Sequence, residues 1–330
     1  MGCGRSWPPP PAAAPPSRAC KPAWPACGCG NFLVVAYREL RLLEHEILER
    51  LYAREAAEGK NLNLALFQLV GVGQVAGLEV EEFAARIAEV ALWLMDHQLN
   101  LALSARFEQR YVRLPLVGGA EIHHTNALTF DWQRAFADGR PADFIVGNPP
   151  FGGQAMQSAA QKASMAAVAG GLNSVGALDF VAGWYLRAGQ FLQRHPNTQV
   201  AFVSTNSITQ GEQVAILWAE LVNRYDLDIL FAHRTFKWSN EARGNAAVYC
   251  IIVGLARKGT TGPRQLFDYA TPSAEPQRRQ VSHINPYLVD APTVFIPNRS
   301  RPLSPDAPPM IWGNNAHAES MPIIPRELRP

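Results

Sequence analysis

The stretch Asp143-Phe144-Ile145-Val146-Gly147-Asn148-Pro149-Pro150-Phe151 constrains this chain more than any other. Phe144, Ile145 and Val146 form an apolar run of the length of a buried strand, and Gly147 ends it. A residue that precedes proline is pushed out of the helical region, so Asn148 and Pro149 are both held extended. Pro149 and Pro150 have a fixed φ and no N–H. The outcome is a stiff, non-helical loop at the carboxyl end of a strand. It presents one amide side chain, free carbonyls and the aromatic face of Phe151. In open α/β sheets, ligands bind at that end of the strands. The bland alternative is an Asn-Pro turn after a strand.

The chain around this stretch alternates strands and helices. Residues 1–24 are rich in Pro and Ala, with no strand pattern, and read as disordered low complexity. Pro25-Ala26-Cys27-Gly28-Cys29-Gly30-Asn31-Phe32-Leu33 then opens a helix to about Glu55, with Leu40, Leu43, Ile47, Leu48 and Leu51 as its apolar stripe. A Gly-x-Gly turn before a helix lets backbone N–H groups approach a polar or anionic ligand. Gln74 to Glu79 reads as a strand ending in an acid. A helix follows over 80–99, with Phe83, Ile87, Val90, Leu94 and Met95 on one face. Ile122 to Leu128 reads as a third strand and turn. Residues 152–176, rich in Gly, Ala, Gln and Ser, suit a mobile loop beside the site. Asp179 to Leu192 is an amphipathic helix; strands follow at 199–206, 227–231 and 246–255. This pattern predicts a mainly parallel sheet with a hairpin-like finish.

Hydrophobic residues make up 48% of the 330, enough for a sizeable core, and the formal net charge of +2 permits a nucleic-acid partner without demanding one. No run has the length of a membrane span, and the N-terminus lacks the apolar segment of a signal peptide, which points to the cytoplasm. The cysteines have no zinc-ribbon or disulfide spacing; Cys27 and Cys29 belong to the glycine turn rather than to a metal site.

Asn148-Pro149-Pro150-Phe151 resembles the catalytic motif of the amino-group methyltransferases that use S-adenosyl-L-methionine, above all the N6-adenine DNA methyltransferases. Pro25-Ala26-Cys27-Gly28-x-Gly30-Asn31-Phe32 is similar to their cofactor loop. Val-Ser-Thr-Asn-Ser-Ile at 203–208, Asp-Phe-Val at 179–181 and Phe-Lys-Trp-Ser-Asn-Glu-Ala at 236–242 resemble the MmeI-like branch. The resemblance implies a Rossmann-like class I methyltransferase fold over residues 25–258, a twisted, mainly parallel sheet flanked by helices. It implies that residues 259–330 are the incomplete start of a target-recognition region, so that the chain is truncated at both ends.

The resemblance also implies roles. Asn148 and Pro149 would hold the two hydrogens of an exocyclic amine, and Phe151 would stack on the base flipped from double-stranded DNA. Glu79 would accept the ribose hydroxyls; its plain alternative is a glutamate at a helix N-terminus. Asn126-Ala127-Leu128 resembles the segment that meets the cofactor's adenine, and the plain alternative for Asn126 is a turn residue. Lys237 and Trp238 either line the base pocket or belong to a loop with a packed Trp. Arg299 and Arg301 either reach phosphates or are solvated charge. The family carries an Asp just before Pro-Ala-Cys, which binds the methionine amino group; here that position is Trp24. Methylation of RNA or of a protein glutamine uses the same motif, and an inactive fragment is the non-enzymatic alternative.

Overall fold

The computed structural model describes residues 20–57, 68–107, 119–238 and 248–297. The stretch before residue 20, residues 239–242 of the last motif, and Arg299 and Arg301 lie outside the described residues. Strands β1 (Pro22–Pro25), β2 (Ala76–Glu79), β3 (Glu121–His124), β4 (Phe144–Gly147), β5 (Gln199–Thr205), β6 (Leu227–Trp238), β7 (Val248–Arg257), β8 (Arg264–Asp268) and β9 (Gln277–Val281) build one sheet in the order β3-β2-β1-β4-β5-β7-β6-β8-β9. β3, β2, β1, β4 and β5 run parallel. β7 enters antiparallel between β5 and β6 and supplies the hairpin-like finish. The order starts at β1 and winds outward both ways, so the ends of β1 and β4 flank the point where the winding reverses. Ligands bind at such a switch point.

Alternation along the strands sorts the core. Ala23, Ala76 and Leu78 face one cluster, while Trp24 and Val75 face the other. The helices α1 (Asn31–Ala57) and α2 (Glu82–Phe107) cover the second face through Leu33, Tyr37, Ala85, Ala88 and Leu92. The helices α3 (Ala159–Ala169) and α4 (Ala182–Arg194), with a largely π-wound segment over 211–224, cover the first.

Three sequence expectations differ from the structure. A strand does precede the glycine turn: Pro22–Pro25 is β1, with Ala23 paired to Ala76 on one side and Ile145 on the other. Its prolines sit at its two ends, where a missing ladder donor is tolerated, and so they hide a central strand. Residues 152–176 are not a mobile loop throughout. Ser158 caps α3, accepting from the Gln161 N–H while Gln161 Oε1 accepts from the Ser158 N–H.

The third difference is the face of α2. Phe83, Val90 and Leu94 do share a face, but they are 79%, 57% and 58% exposed, and the inner face is Ala85, Ala88, Leu92, Leu99 and Leu103. A buried polar seam holds that inner face to α1. Tyr37 donates to Asp96 at 2.5 Å, Asn100 donates to Asp96 at 2.9 Å and Arg41 donates to Asn100 at 2.7 Å. Glu44, paired with Arg41, accepts the N–H groups of Leu69 and Val70 at 2.6 and 2.8 Å. Each residue of the seam has at least one hydrogen-bond partner. Among the described residues, no helix is long and apolar enough to cross a membrane.

Candidate active site

The loops after β1 and β4 lie side by side and open on one cavity of about 440 Å³. Its walls include Ala26 and Gly28 from the first loop, Glu79 from the end of β2, Asn126 and Ala127 after β3, and Asn148 and Pro150 from the second loop. Thus motif residues from four strand ends, far apart in sequence, converge on one space.

The first loop is shaped by backbone. Ala26, Gly28 and Gly30 have φ of +134°, +55° and +87°. The last two are glycines because L side chains avoid that region. At Gly30 a Cβ would also stand 3.0 Å from Ala88 of α2, so α1 and α2 close up there only over a glycine. Ala26 is a non-glycine outlier at the cavity wall, a form of strain that clusters at ligand sites. The N–H groups at 27, 28 and 30 are committed: Cys27 to the Leu78 carbonyl at 3.1 Å, Gly28 to Glu79 Oε2 at 2.8 Å and Gly30 to the Cys27 carbonyl at 2.9 Å. Glu79 Oε1 accepts from Val80 and Glu81 at 2.9 and 3.0 Å. Glu79 caps the turn into α2 and it lines the cavity.

Burial first, and the Glu79 charge second, push the Cys27 thiol up to about 12, so it stays protonated. No group of three or more His, Cys, Asp or Glu suited to a metal is present among the described residues. Trp24 does not line the cavity. It is 2% exposed, turned into the core with Leu33 and Tyr37, and its indole N–H has no partner.

The second loop is held from outside. The Gly152 N–H donates to Asp179 Oδ1 at 3.1 Å, and the Gly152 carbonyl accepts from Phe180 at 2.8 Å and from Gln157 at 3.2 Å. Asn148 Oδ1 is buried and has no hydrogen-bond partner. An acceptor left so costs roughly 1–3 kcal/mol. An orphaned carbonyl on a cavity wall is a place for a ligand N–H.

The remaining expected residues support rather than line. Pro25 is buried, and its carbonyl accepts from the Trp184 indole. Cys27 and Leu128 are buried, Pro149 is buried beside Asn148, and Asn31 and Phe151 are exposed. Phe32 stacks on Trp238, ring centroids 6.2 Å apart at 25°. Lys237 and Trp238 do not line this cavity; they end strand β6, which runs past the expected 227–231 to Trp238 where a loop was expected. Asn126 Oδ1 accepts from Leu128 at 2.9 Å and its Nδ2 donates to Ser164 at 2.9 Å, so it turns the chain while facing the cavity.

Several wall residues were missed from sequence. Gln161 and Ser164 lie on α3, whose start was signalled by Ser158-Ala-Ala-Gln161, a capping-box pattern. Phe180 and Trp184, edge-to-face at 5.2 Å, were read as part of an amphipathic helix, Phe180 also within the Asp-Phe-Val motif, and not as wall residues. Leu78, Val80 and Thr125 flank expected residues.

Comparison with known proteins agrees with this fold. The DNA methyltransferase A of Bacillus subtilis (strain 168) is 36% identical over 293 residues, which cover 88% of this chain and 32% of that protein. The type IIL restriction-modification enzyme MmeI, solved in complex with DNA, superposes with a TM-score of 0.80 at 44% identity over 86% of this chain and 37% of that one. The chain thus spans about a third of the length of the relatives it matches. Residues 20–268 match the family described as MmeI, DNA-methyltransferase domain, and this chain belongs to that family.

Proposed function

We propose that this chain is the catalytic domain of a DNA methyltransferase that moves the methyl group of S-adenosyl-L-methionine to N6 of an adenine flipped from duplex DNA. It would act in the cytoplasm within restriction-modification. The observation that carries this reading is Asn148 Oδ1, a buried acceptor without a partner on the same cavity as Gly28 and Glu79.

The residues present fit the cofactor. Gly28 leaves open space where any other residue would place a side chain. Glu79 already accepts three N–H groups, which leaves one acceptor site, on Oε2, for a ribose hydroxyl. Asn126 and Ala127 border the adenine end, with Phe180 and Trp184 as apolar walls. When bound, the sulfonium supplies an electrophilic methyl and leaves as a neutral thioether. Charge is dispersed on reaction, so an oxyanion hole has no task here.

The protein's work is orientation. An exocyclic amine is a weak nucleophile because its lone pair is delocalised into the ring. Asn148 Oδ1 and the Pro149 carbonyl would accept its two hydrogens and turn the lone pair out of the ring plane. Phe151, exposed beside them, offers the stacking face. Pro149 and Pro150 keep the cradle from relaxing. After transfer, the nitrogen returns to neutrality by releasing one proton along these acceptors to water. The span from residue 259 is read as the start of a target-recognition region; β8 and β9 within it extend the sheet, and the family match runs through β8 to residue 268.

The test is transfer of tritiated methyl to plasmid DNA from a host without adenine methylation, with RNA and a protein mixture in parallel. Label recovered as N6-methyladenine in DNA is the expected result. Label in RNA or glutamine alone contradicts the substrate, and none anywhere contradicts the enzyme.

A further inference from the structure

We infer that Asp179 is the positioning residue that sets the catalytic loop, an inference resting on the methyl-transfer reading above. Asp179 is only 5% exposed, and no Lys, Arg or His among the described residues pairs with it. Its charge is met instead by three donors. Oδ1 accepts the Gly152 N–H at 3.1 Å; Oδ2 accepts the hydroxyls of Thr205 at 2.8 Å and Ser207 at 3.0 Å. The two hydroxyls lie 2.7 Å apart and share the same carboxylate oxygen. Its own N–H donates to Gln213 at 2.9 Å, which fixes the residue from behind.

These partners explain what the carboxylate does. Thr205 is the last residue of β5, the parallel neighbour of β4. Gly152 immediately follows Phe151. The carboxylate therefore ties the exit of the Asn148–Phe151 loop to the end of the next strand, while β4 holds its entry. Pro149 and Pro150 fix φ within the loop, and Asp179, with Phe180 and Gln157, holds its exit at Gly152. The next residue, Phe180, also pins Gly152 through its own N–H and forms part of the cavity wall. The Asp179 carboxylate and the Phe180 N–H thus hold the same residue, Gly152, at the loop's exit. A shift of about 1 Å in such a loop costs roughly 100-fold in rate.

The experiment uses the full 330-residue chain. Asp179→Ala is expected to lower single-turnover methyl transfer about 100-fold, with calorimetric affinity for S-adenosylmethionine within about threefold of wild type. Asp179→Asn keeps an acceptor for Gly152, and the hydroxyls can rotate to accept from its amide, so it should recover about tenfold of that loss. Amide exchange at 150–153 should quicken in Asp179→Ala, with β4 unchanged. Wild-type transfer in Asp179→Ala, or cofactor affinity falling in step with transfer, overturns the proposal. If Asp179→Ala does not fold, Thr205→Val with Ser207→Ala decides. Slower transfer and quicker exchange support the tie, and no change in either overturns it. Quicker exchange in Asp179→Ala with no transfer by wild type supports the tie and sinks the methyl-transfer reading alone.

Discussion

The loops after β1 and β4 end neighbouring parallel strands, face one cavity and are built on opposite principles. The loop at Ala26–Gly30 holds its shape by backbone: three positive φ values, a glycine pressed on α2, and N–H groups already bonded to Leu78, Glu79 and Cys27. The loop at Asn148–Phe151 holds its shape by two prolines within and by Asp179 and Gln157 from without, and it keeps one buried acceptor unpartnered. A loop whose polar groups are satisfied is a surface to lie against. A loop with an orphaned acceptor has a hydrogen to wait for. On the proposed function, the first loop seats the cofactor and the second does the chemistry.

The strongest way to break this division is Gly30→Val. Positive φ strain of roughly 1–3 kcal/mol adds to a Cβ only 3.0 Å from Ala88. Calorimetry should show S-adenosylmethionine affinity lower by about 100-fold or more, with a lower melting temperature. Unchanged affinity would mean that the first loop does not seat the cofactor.

Glu79→Ala sharpens the same side. It removes the acceptor of three N–H groups as well as the proposed ribose contact, and affinity should fall about 10- to 30-fold, or roughly 1.4–2 kcal/mol. An equal fall in transfer at saturating cofactor would move Glu79 from seating to chemistry.

A third prediction concerns α1, which starts at the first loop. His45 is 2% exposed, and burial first, then the charges of Arg41 and Arg106, lower it from its ordinary value to about 4. It is neutral in the fold and takes a proton on unfolding. Stability should therefore decline as pH falls from about 6.5 towards 4. Urea midpoints across that range check this, and His45→Phe should flatten the slope. The smallest effect is chemical. At pH 8, iodoacetamide should label exposed Cys29 and spare Cys27 and Cys250, which burial holds at about 12 and 11.

The sequence made the mainly parallel frame legible in outline, and part of the cavity wall with it. Asn148-Pro149-Pro150 was legible because proline acts on its own dihedrals and on the residue before it, within four positions. Glu79 was legible as an acid ending an apolar run. Strand β1 was hidden because a four-residue strand flanked by prolines has the composition of a linker. Helix α2 has apolar residues on two faces, and periodicity does not say which one meets the sheet; Tyr37 and Arg41, from another helix, settle it. Asp179 was seen only as part of a motif, because its meaning depends on Gly152 and Thr205, each more than twenty positions away. The signal most readily overlooked was local: Ser158 and Gln161 marked α3 by their spacing alone.

The central claim is that Asn148 performs chemistry while the glycine turn seats the cofactor. Single-turnover transfer by Asn148→Ala at saturating S-adenosylmethionine tests it most directly, with the dissociation constant measured on the same sample. The account predicts a fall of about 1000-fold or more in transfer with affinity changed less than about threefold. Transfer near the wild-type rate in that variant would contradict it.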